Sequence, residues 1–460
     1  MFSRRTFLPG ALGAASLPLL SSQALADQAF TTFAYNATGG TTPRTSPARW
    51  ADVINVLDYG ADPTNMNDSQ PAFQAACDAA FGSSASPHGL ANASLNRPVF
   101  IPNGHYRLNN PVLLTSIVGG HIYGAGNGAT FLANTGPSNL PVFITNGAAN
   151  LVMERMWMLG GGTTGSIIGV DLDWDGTTMS GDGLHDNIFR DITFQQFNTS
   201  MRIAHTTSSP GVGANNLLWG VTCAQAIYGV IAEGTGATNN LAILGGVGTL
   251  GTPGTTGIGY WSKGGSIHCV DCAPGNSTGT QQVYWYQVDS GLPVFISGRG
   301  EYEPPINSNN GCLNLTHGLV TMRGLNMAGG HEFANISGGK LTMDGCVASG
   351  DKQINGAVAT ASVTISGTAM TLSGVSGTVA VGQYVYGNGI PGSVLNASSV
   401  WVPGPLSPVV ISGSGTSWTL NYAPGNITGV SGTLGGALYM RAGFPTFDLS
   451  GYSGAICQNI

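Results

Sequence analysis

A short apolar pattern that recurs along the chain constrains the fold more than any other feature. From residue 150 onward, the pattern apolar-x-x-apolar-x-apolar begins anew at Met153, Phe189, Leu218, Leu244, Cys269, Ile296, Met322 and Met343. The intervals between these first residues are 36, 29, 26, 25, 27, 26 and 21 residues. Repeats of this length are typical of a parallel β-helix, in which equivalent residues of successive coils stack about 4.8 Å apart. The repeat predicts an all-β fold with a β-helix over residues 51–352.

A C-x-x-C motif, Cys269 and Cys272, lies within this repeat. The two cysteines take positions that methionine, leucine or phenylalanine hold in other coils, which favours the β-helix interior. A disulfide formed in an oxidising exterior is one alternative, and redox or zinc chemistry is another. No second C-x-x-C completes a zinc site, and the odd total of seven cysteines leaves at least one unpaired thiol.

The N-terminus has the features of an export signal. Residues 1–26 contain the pair Arg4 and Arg5, a weakly apolar stretch and a small-x-small end, which predicts a twin-arginine signal peptide and a periplasmic or extracellular location. Residues 27–50 read as an extended lead-in. Without Arg4 and Arg5, 13 basic and 22 acidic residues remain, a charge of −9. This balance argues against nucleic acid and anionic membranes as partners, and no apolar run is long enough to span a membrane.

Residues 54–126 contain a second recognisable order of elements. A short strand leads through a Gly/Asp/Asn loop to Asp68 and Ser69, which predict the start of a helix that ends near Gly82. Alternating strand-like segments follow, with the motifs Val99–Ile101-Pro102, Gly104-x-Tyr106 and Gly124-x-Gly126.

These motifs resemble the rhamnogalacturonase/epimerase-like domain of the pectate lyase superfamily. The resemblance implies a right-handed single-stranded parallel β-helix with an N-terminal capping helix. Asp62-Pro63-Thr64 replaces the family's usual Gly-Asp-Gly turn, and a single acid precedes the helix. The resemblance supplies no catalytic residue.

The chain changes character after Lys352. Residues 353–440 contain no Asp, Glu, Lys, Arg or His, and short Val/Thr/Ser/Gly segments alternate with glycine turns. This composition predicts a separate C-terminal β-rich module. Residues 441–460 are expected to pack on the end of the β-helix and cover its open edge.

Ionisable residues recur at the end of a second strand in each coil. They are Asp175, His205, Glu233, Lys263, Asp289 and His317, at intervals of 30, 28, 30, 26 and 28 residues. Residues two coils apart would lie about 9.6 Å apart, close to the roughly 6.5–9.5 Å between the paired carboxylates of inverting glycosidases. Asp175 with Glu233, or Glu233 with Asp289, are the candidate catalytic pairs, with His205 or Lys263 between them. The alternative is that these residues are polar only because strand ends lead into solvent-exposed turns.

Three further residues are candidates for substrate binding. Trp261 and Trp285 are predicted to face outward and to offer flat surfaces to sugar rings. Arg299 and Glu301 interrupt the apolar pattern, so either the register shifts them outward or they form ion pairs. In a lyase, Arg299 would neutralise a uronate carboxylate and Lys263 or a tyrosine would act as base.

The segment "DLDWDGTTMSGD" fits two interpretations. Asp171, Asp173, Asp175 and Asp182 match the spacing of an oxygen-ligand calcium loop. The alternation of Val170, Leu172 and Trp174 with these acids instead indicates a strand that exposes acids on one face. The two interpretations exclude each other for these residues.

Together these features predict an exported polysaccharide-active β-helix protein that hydrolyses glycosidic bonds with paired carboxylates. A lyase acting on uronates and a non-catalytic glycan-binding or adhesive surface protein are the alternatives. The expected partner is a polysaccharide or surface glycan. No cofactor is required, although calcium and assembly as a homotrimer are left open.

Overall fold

A computed structural model describes residues 51–440 and two short strands before them. Within 51–440 the description omits residues 84–85, 90–91, 137–139, 162–166, 175–182, 204–212, 234–239, 251–256, 277–282, 303–310, 329–331, 337–338, 349–351, 356–358, 378, 380–382, 396–400, 404–405 and 436. The chain divides into one unit up to Val53 and a second from Ile54 onward. In the first unit, Ala34–Tyr35 pairs antiparallel with Arg44–Thr45.

One α-helix, α1, spans Gln70–Phe81, as the Asp68-Ser69 signal predicts. The Asp68 carboxylate accepts a hydrogen bond from the Gln70 backbone N–H (3.0 Å), so it satisfies one of the unpaired donors at the helix start. Gly82 ends the helix with φ 84°. The apolar face of α1, which includes Phe73 and Phe81, joins the main hydrophobic core. Two 3₁₀ turns, Val56–Tyr59 and Ala93–Leu95, flank the helix in sequence.

The larger sheet, called sheet 1, contains two strand segments from most coils. Its strands are Ile54–Asn55, Thr64–Asp68, Val99–Ile101, Gly104–Leu108, His121–Gly124, Thr130–Asn134, Val152–Leu159, Ile188–Gln195, Asn216–Trp219, Thr222–Ala226, Asn240–Leu244, Val247–Leu250, Ser266–Asn276, Pro293–Tyr302, Leu319–Arg323, Asn326–Ala328, Lys340–Asp344 and Val347–Ala348. Neighbouring coils pair in parallel, as in Met153↔Phe189 and Phe189↔Leu218.

The second sheet, called sheet 2, contains one strand from most coils and two from the coils that begin with Ile168–Asp173 and Thr199–Ile203. Its strands are Val112–Val118, Phe143–Ala149, Ile168–Asp173, Leu184–His185, Thr199–Ile203, Gly213–Ala214, Tyr228–Ala232, Gly257–Ser262, Val283–Val288, Gly311–Leu315, Glu332–Ile336, Lys352–Asn355 and Ala437–Met440. All pairings in it are parallel except that of the last strand. Sheets 1 and 2 together form the parallel β-solenoid that the repeat predicts.

A sharp bend divides the two segments of each coil in sheet 1. It lies at the second x of the apolar-x-x-apolar pattern, where one residue takes a left-handed backbone conformation. These residues are Arg155, Asp191, Gly220, Gly245, Asp271, Gly324 and Gly345, with φ between 52° and 62°. The bend turns the chain so that the apolar residues on both sides of it face the interior.

The buried residues of the apolar repeat confirm the predicted core, but the register differs from the prediction at the coil of Leu244. Cys269 and Cys272 are both fully buried and free, so they are interior residues, and the disulfide alternative is wrong. The residue that stacks on Cys269 is Ile243, not Leu244. The prediction that Leu244 begins the repeat was one residue late, because Leu244, Gly245, Gly246 and Val247 offer two apolar residues around the bend.

Residues 359–435 form an antiparallel sheet with its own hydrophobic cluster. The strands, in spatial order, are Tyr384–Tyr386, Ile427–Gly435, Ala359–Ser366, Ala369–Ser376, Ser417–Leu420 and Val410–Ser414, beside a hairpin of Ser393–Leu395 and Trp401–Pro403. Val363, Ile365, Leu372 and Leu434 are among the buried residues of this cluster. We call residues 359–435 the C-terminal module.

Both ends of sheet 2 are covered. At one end, Gln74 of α1 accepts a hydrogen bond from the Leu113 N–H (2.8 Å) and donates one to the Leu113 carbonyl (3.0 Å), as a neighbouring strand would. At the other end, Ala437–Met440 pairs antiparallel with Lys352–Asn355. Both contacts satisfy strand edges that would otherwise invite pairing with other chains.

Several predictions fall outside the described residues. These concern the signal peptide of residues 1–26, nearly all of the lead-in, and the segment 441–460. In the part of the chain that is described, no helix is long and apolar enough to cross a membrane.

Candidate active site

An outward row of side chains crosses the coils of sheet 2. The strand pairings place Asp171, Arg202, Ile231, Trp261, Gln287 and Asn314 side by side, one residue from each successive coil. We call these six residues the outer row. Their neighbours in each strand, such as Leu172 and Tyr260, belong to the main hydrophobic core, because alternate residues of a strand face opposite sides.

The outer row begins with an ion pair. Asp171 accepts two hydrogen bonds from Arg202, at 2.9 Å to Nε and 2.5 Å to Nη2. Asp171 is 3% exposed, so this contact takes place largely out of water. The hydrogen bond to Asp171 raises the pKa of Arg202, and the charges of Glu233 and Asp173 add to the effect.

The residues that directly follow the strands of four successive coils form a second line beside the outer row. The pairings Ala232↔Ser262 and Ser262↔Val288 place the next residues, Glu233, Lys263 and Asp289, in consecutive coils. Thr316 follows Asp289, because Val288 pairs with Leu315. We call Glu233, Lys263, Asp289 and Thr316 the end column. The central part of the predicted titratable column is therefore in register.

The predicted column is wrong at its later end. Thr316 stands next to Asp289, and His317 comes one position further along its coil. At the earlier end, Asp175 and His205 lie outside the described residues, so their place in the column stays a prediction.

Lys263 connects the end column to the outer row. Its Nζ lies 2.7 Å from Glu233 Oε1 and 5.2 Å from the centre of the Trp261 ring. The side chains of Glu233 and Lys263 are 26% and 47% exposed, so both can meet a ligand from solvent. The quadrupole of an indole ring attracts a cation over its face, and this attraction helps to hold Lys263 between Trp261 and Glu233.

Asp289 is held by three donors. Its Oδ2 accepts hydrogen bonds from Trp261 Nε1 (2.7 Å) and Gln287 Nε2 (2.8 Å), and its Oδ1 accepts one from Thr316 Oγ1 (2.5 Å). The Trp261 ring also lies against the Tyr228 ring, with centroids 5.5 Å apart. Trp261 is half-buried, and its indole is therefore fixed beside the carboxylate.

Trp285 does not face outward as predicted. It is 0% exposed and belongs to the main core together with the adjacent Tyr286. Strict alternation of inward and outward side chains fails here. Ile258 pairs with Tyr284 and Tyr260 pairs with Tyr286, and Trp285 between them is left out of the pairing. Two consecutive residues then face the interior, a feature that alternation alone cannot reveal.

Arg299 is exposed and lies on sheet 1, away from the end column. Gly298, with φ 126°, stands opposite Cys272, and Arg299 pairs with Asn326. The register has therefore moved Arg299 outward, the first of the two outcomes that its sequence predicts. The side chain of Glu301 lies outside the described residues.

The acid-rich segment forms a strand in its described part. Ile168–Asp173 is extended, as the alternation of apolar residues and acids predicts, although Asp171 is buried rather than exposed. The Asp173 carboxylate accepts a hydrogen bond from the Trp174 backbone N–H (2.9 Å). Among the described residues, no three His, Cys, Asp or Glu side chains are grouped to hold a metal. Asp175 and Asp182 fall outside them, so the calcium site stays a prediction.

Sequence reasoning missed a cavity at the bend of sheet 1. The cavity has a volume of about 380 Å³ and is lined by Glu154, Arg155, Arg190, Asp191, Trp219 and Gly220. Glu154 is 4% exposed and contacts Arg190 and, at 3.1 Å, His121 Nε2. Two charged pairs, Glu154-Arg155 and Arg190-Asp191, could have revealed the cavity, because they occupy the two x positions of successive repeats. The next two coils have glycine at the second of these positions.

Comparison with known proteins confirms the family resemblance. Residues 53–239 match the family model described as rhamnogalacturonase A/epimerase, pectate lyase-like. Among curated proteins, none matches the sequence.

Several solved structures match this chain at low identity. A tailspike protein of Acinetobacter phage vB_ApiP_P1 is 11% identical with a TM-score of 0.45, covering 90% of this chain and 91% of its own. The A-module of a mannuronan C-5 epimerase from Azotobacter vinelandii is 14% identical with a TM-score of 0.35, covering 64% and 95%. The catalytic unit of an alpha-1,3-glucanase from Streptomyces thermodiastaticus is 13% identical with a TM-score of 0.31, covering 70% of this chain. The present chain spans 65% of that glucanase structure, less than two thirds.

Proposed function

We propose that the protein binds a polysaccharide along the outer row and the end column and cleaves its glycosidic bonds. The observation that carries the proposal is the placement of Glu233 and Asp289 on either side of one coil, next to the Trp261 indole. In a chain with only 8% charged residues, such a concentration of ionisable groups on one face calls for a ligand. A family named after a rhamnogalacturonase and an epimerase supports a carbohydrate substrate.

Hydrolysis requires one carboxyl group to protonate the leaving oxygen and another to activate water. The backbones of Glu233 and Asp289 are two coils apart, about 9.6 Å at the usual strand spacing, which leaves room for a sugar and a water molecule. Asp289 accepts three hydrogen bonds, an arrangement suited to the carboxylate that acts as base. Glu233 is then the proton donor, and substrate binding must move Lys263 away from it.

A uronate lyase receives less support from the geometry. Lys263 Nζ is engaged by Glu233 at 2.7 Å, so it is not placed to act as the base. Arg299 lies on sheet 1 and does not join the end column. The two residues assigned to a lyase, Lys263 and Arg299, therefore do not lie at one place.

A non-catalytic glycan-binding protein is the second candidate. It is favoured by the engagement of both carboxylates in contacts within the protein: Glu233 with Lys263, and Asp289 with three donors. In this role the end column would be a rigid polar edge beside the Trp261 ring. Twin-arginine export, calcium binding and assembly as a homotrimer remain predictions beside either function.

The deciding experiment is mass spectrometry of products after incubation with neutral and acidic polysaccharides, with and without calcium. We expect fragments that have gained one water, and we expect Glu233→Gln and Asp289→Asn each to lower the rate by at least about 100-fold. Asp344→Asn is the matched control, because Asp344 pairs with the exposed Arg323 on sheet 1. Fragments with unsaturated uronate ends would instead indicate cleavage by elimination. Binding without any fragment would favour the non-catalytic candidate.

A further inference from the structure

The cavity at the bend of sheet 1 is built by three consecutive coils. Each contributes the residue at the bend and the one before it: Glu154-Arg155, Arg190-Asp191 and Trp219-Gly220. The strand pairings place Glu154 beside Arg190 and Arg190 beside Trp219. The site is therefore fixed by the register of the coils rather than by a loop.

The bend residues at this cavity differ from those of the next two coils. Arg155 and Asp191 have φ 61° and 52°, whereas the next two coils place Gly220 and Gly245 at the bend. A left-handed conformation costs a residue with a Cβ about 1 kcal/mol relative to glycine. Strain of this kind persists where the side chain has a use, and both side chains are exposed at the cavity.

The floor of the cavity is rigid. Glu154 is almost fully buried and is held from two sides, by Arg190 and by His121. Above it, Asp191 Oδ1 accepts a hydrogen bond from Asn127 Nδ2 (3.2 Å), and Arg155 Nη2 donates one to the Ala125 carbonyl (2.9 Å). These contacts orient one acceptor and one donor group toward the same space.

The wall of the cavity is an exposed indole. Trp219 is 56% exposed, among the highest values for a large apolar residue of the β-solenoid. Exposed aromatic rings beside oriented polar groups are typical of binding sites, because the ring offers a large rigid apolar surface. The four charged lining residues are two acids and two arginines, so the cavity has no net charge to attract a charged ligand.

We propose that this cavity binds one neutral sugar unit of a glycan. One face of the sugar ring stacks on Trp219, and adjacent hydroxyls donate to Asp191 and accept from Arg155. The site belongs to sheet 1, whereas the end column belongs to sheet 2, and sugar binding here does not require cleavage there. It gives the protein a second binding site for a long polymer, which raises the effective concentration of the polymer at the protein surface.

The test follows the indole N–H resonances of ¹⁵N-labelled protein during titration with the methyl glycosides of glucose, galactose, mannose and rhamnose. Trp219→Leu identifies the Trp219 resonance, and it preserves the fold because Leu244 holds the equivalent position in the next coil. Trp401, 36% exposed in the C-terminal module, is the internal control. We expect at least one of the four glycosides to shift the Trp219 resonance and leave that of Trp401 in place.

Asp191→Gly separates binding from folding. The next coil already has glycine at this bend, so the variant should keep or slightly raise the melting temperature. Loss of the acceptor should weaken glycoside binding about tenfold. The proposal is overturned if none of the four glycosides shifts the Trp219 resonance, or if Asp191→Gly binds as tightly as the native protein.

A third variant separates this inference from the proposed cleavage. Asp289→Asn should leave glycoside binding at Trp219 unchanged, whether or not the end column is catalytic. Loss of the Trp219 shift in Asp289→Asn would show that the two sites are one, and would also overturn the proposal. Binding at Trp219 in a protein that releases no fragments would refute cleavage alone.

Discussion

The β-solenoid and the C-terminal module are both β structures, but they gather residues in opposite ways. In the solenoid, parallel coils bring together residues that are about one coil apart in sequence, such as Glu233 and Lys263. In the module, antiparallel strands pair either across short turns, as at Gly367, or over long separations, as in Ala359↔Leu434. The solenoid carries rows of ionisable side chains, whereas residues 353–440 have none of Asp, Glu, Lys, Arg or His. Chemistry that needs several charged groups in one place therefore belongs to the solenoid.

The largest difference is expected in the cores. Trp285 is fully buried in the solenoid, while Trp418 of the module is 9% exposed at the edge of a smaller cluster. We expect Trp285→Ala to lower the free energy of unfolding by about 3–5 kcal/mol, because the coils cannot close the cavity. Trp418→Ala should cost less. Urea denaturation followed by circular dichroism measures both, and a cost below about 1 kcal/mol for Trp285→Ala would contradict the buried position.

A smaller difference is expected at glycines of the two regions. A Cβ on Gly318, in the solenoid, would lie 1.9 Å from the Ser290 carbonyl oxygen, whereas one on Gly367, in a module hairpin, meets nothing within 4 Å. Both glycines have positive φ. We expect Gly367→Ala to cost about 1 kcal/mol of unfolding free energy from backbone strain alone.

Gly318→Ala adds a steric clash to that strain, so its cost should exceed that of Gly367→Ala by about 1–3 kcal/mol. Differential scanning calorimetry of the two variants provides the comparison. Equal losses would mean that the coils move apart at Gly318 without resistance.

The smallest expected effect is the response to acid. Burial raises the pKa of Glu154, but hydrogen bonds from Arg190 and His121 outweigh it and hold the pKa below the ordinary value of 4.5. Hydrogen bonds from Thr64 lower the pKa of Asp62 to about 2. A lowered pKa stabilises the folded state above the unfolded pKa, and this stabilisation is lost as the pH falls through the folded value. The solenoid should lose stability below about pH 4.5.

The module offers the contrast, because it has no acidic residue to protonate. Hydrogen exchange measured by mass spectrometry, corrected for the intrinsic pH dependence of amide exchange, reports the two regions separately. Protection should fall in Val152–Leu159 between pH 5 and about 3 and stay level in Ala359–Ser366. Glu154→Gln should flatten the response of Val152–Leu159, and an unchanged response would locate the acid sensitivity elsewhere.

Part of the candidate site was accessible from the sequence. Glu233, Lys263 and Asp289 follow strands of nearly equal length in successive coils, so counting residues between repeats aligns them. The same count misplaced His317 by one position, because Leu315 pairs with Val288 and the residue that follows Leu315 is Thr316. Trp285 was assigned to the wrong side, because alternation fails where two consecutive residues face inward.

The sequence by itself determined the fold class, the start of α1 at Gln70 and the interior position of Cys269 and Cys272. These depend on local signals: a helix cap, glycine turns and an apolar period. Only the tertiary structure decided which outward side chains meet, such as Trp261 with Asp289 and Trp219 with the Glu154-Arg190 pair. The physical reason is that coils of unequal length stack by hydrogen-bond register, and a shift of one residue moves a side chain from one face of its strand to the other.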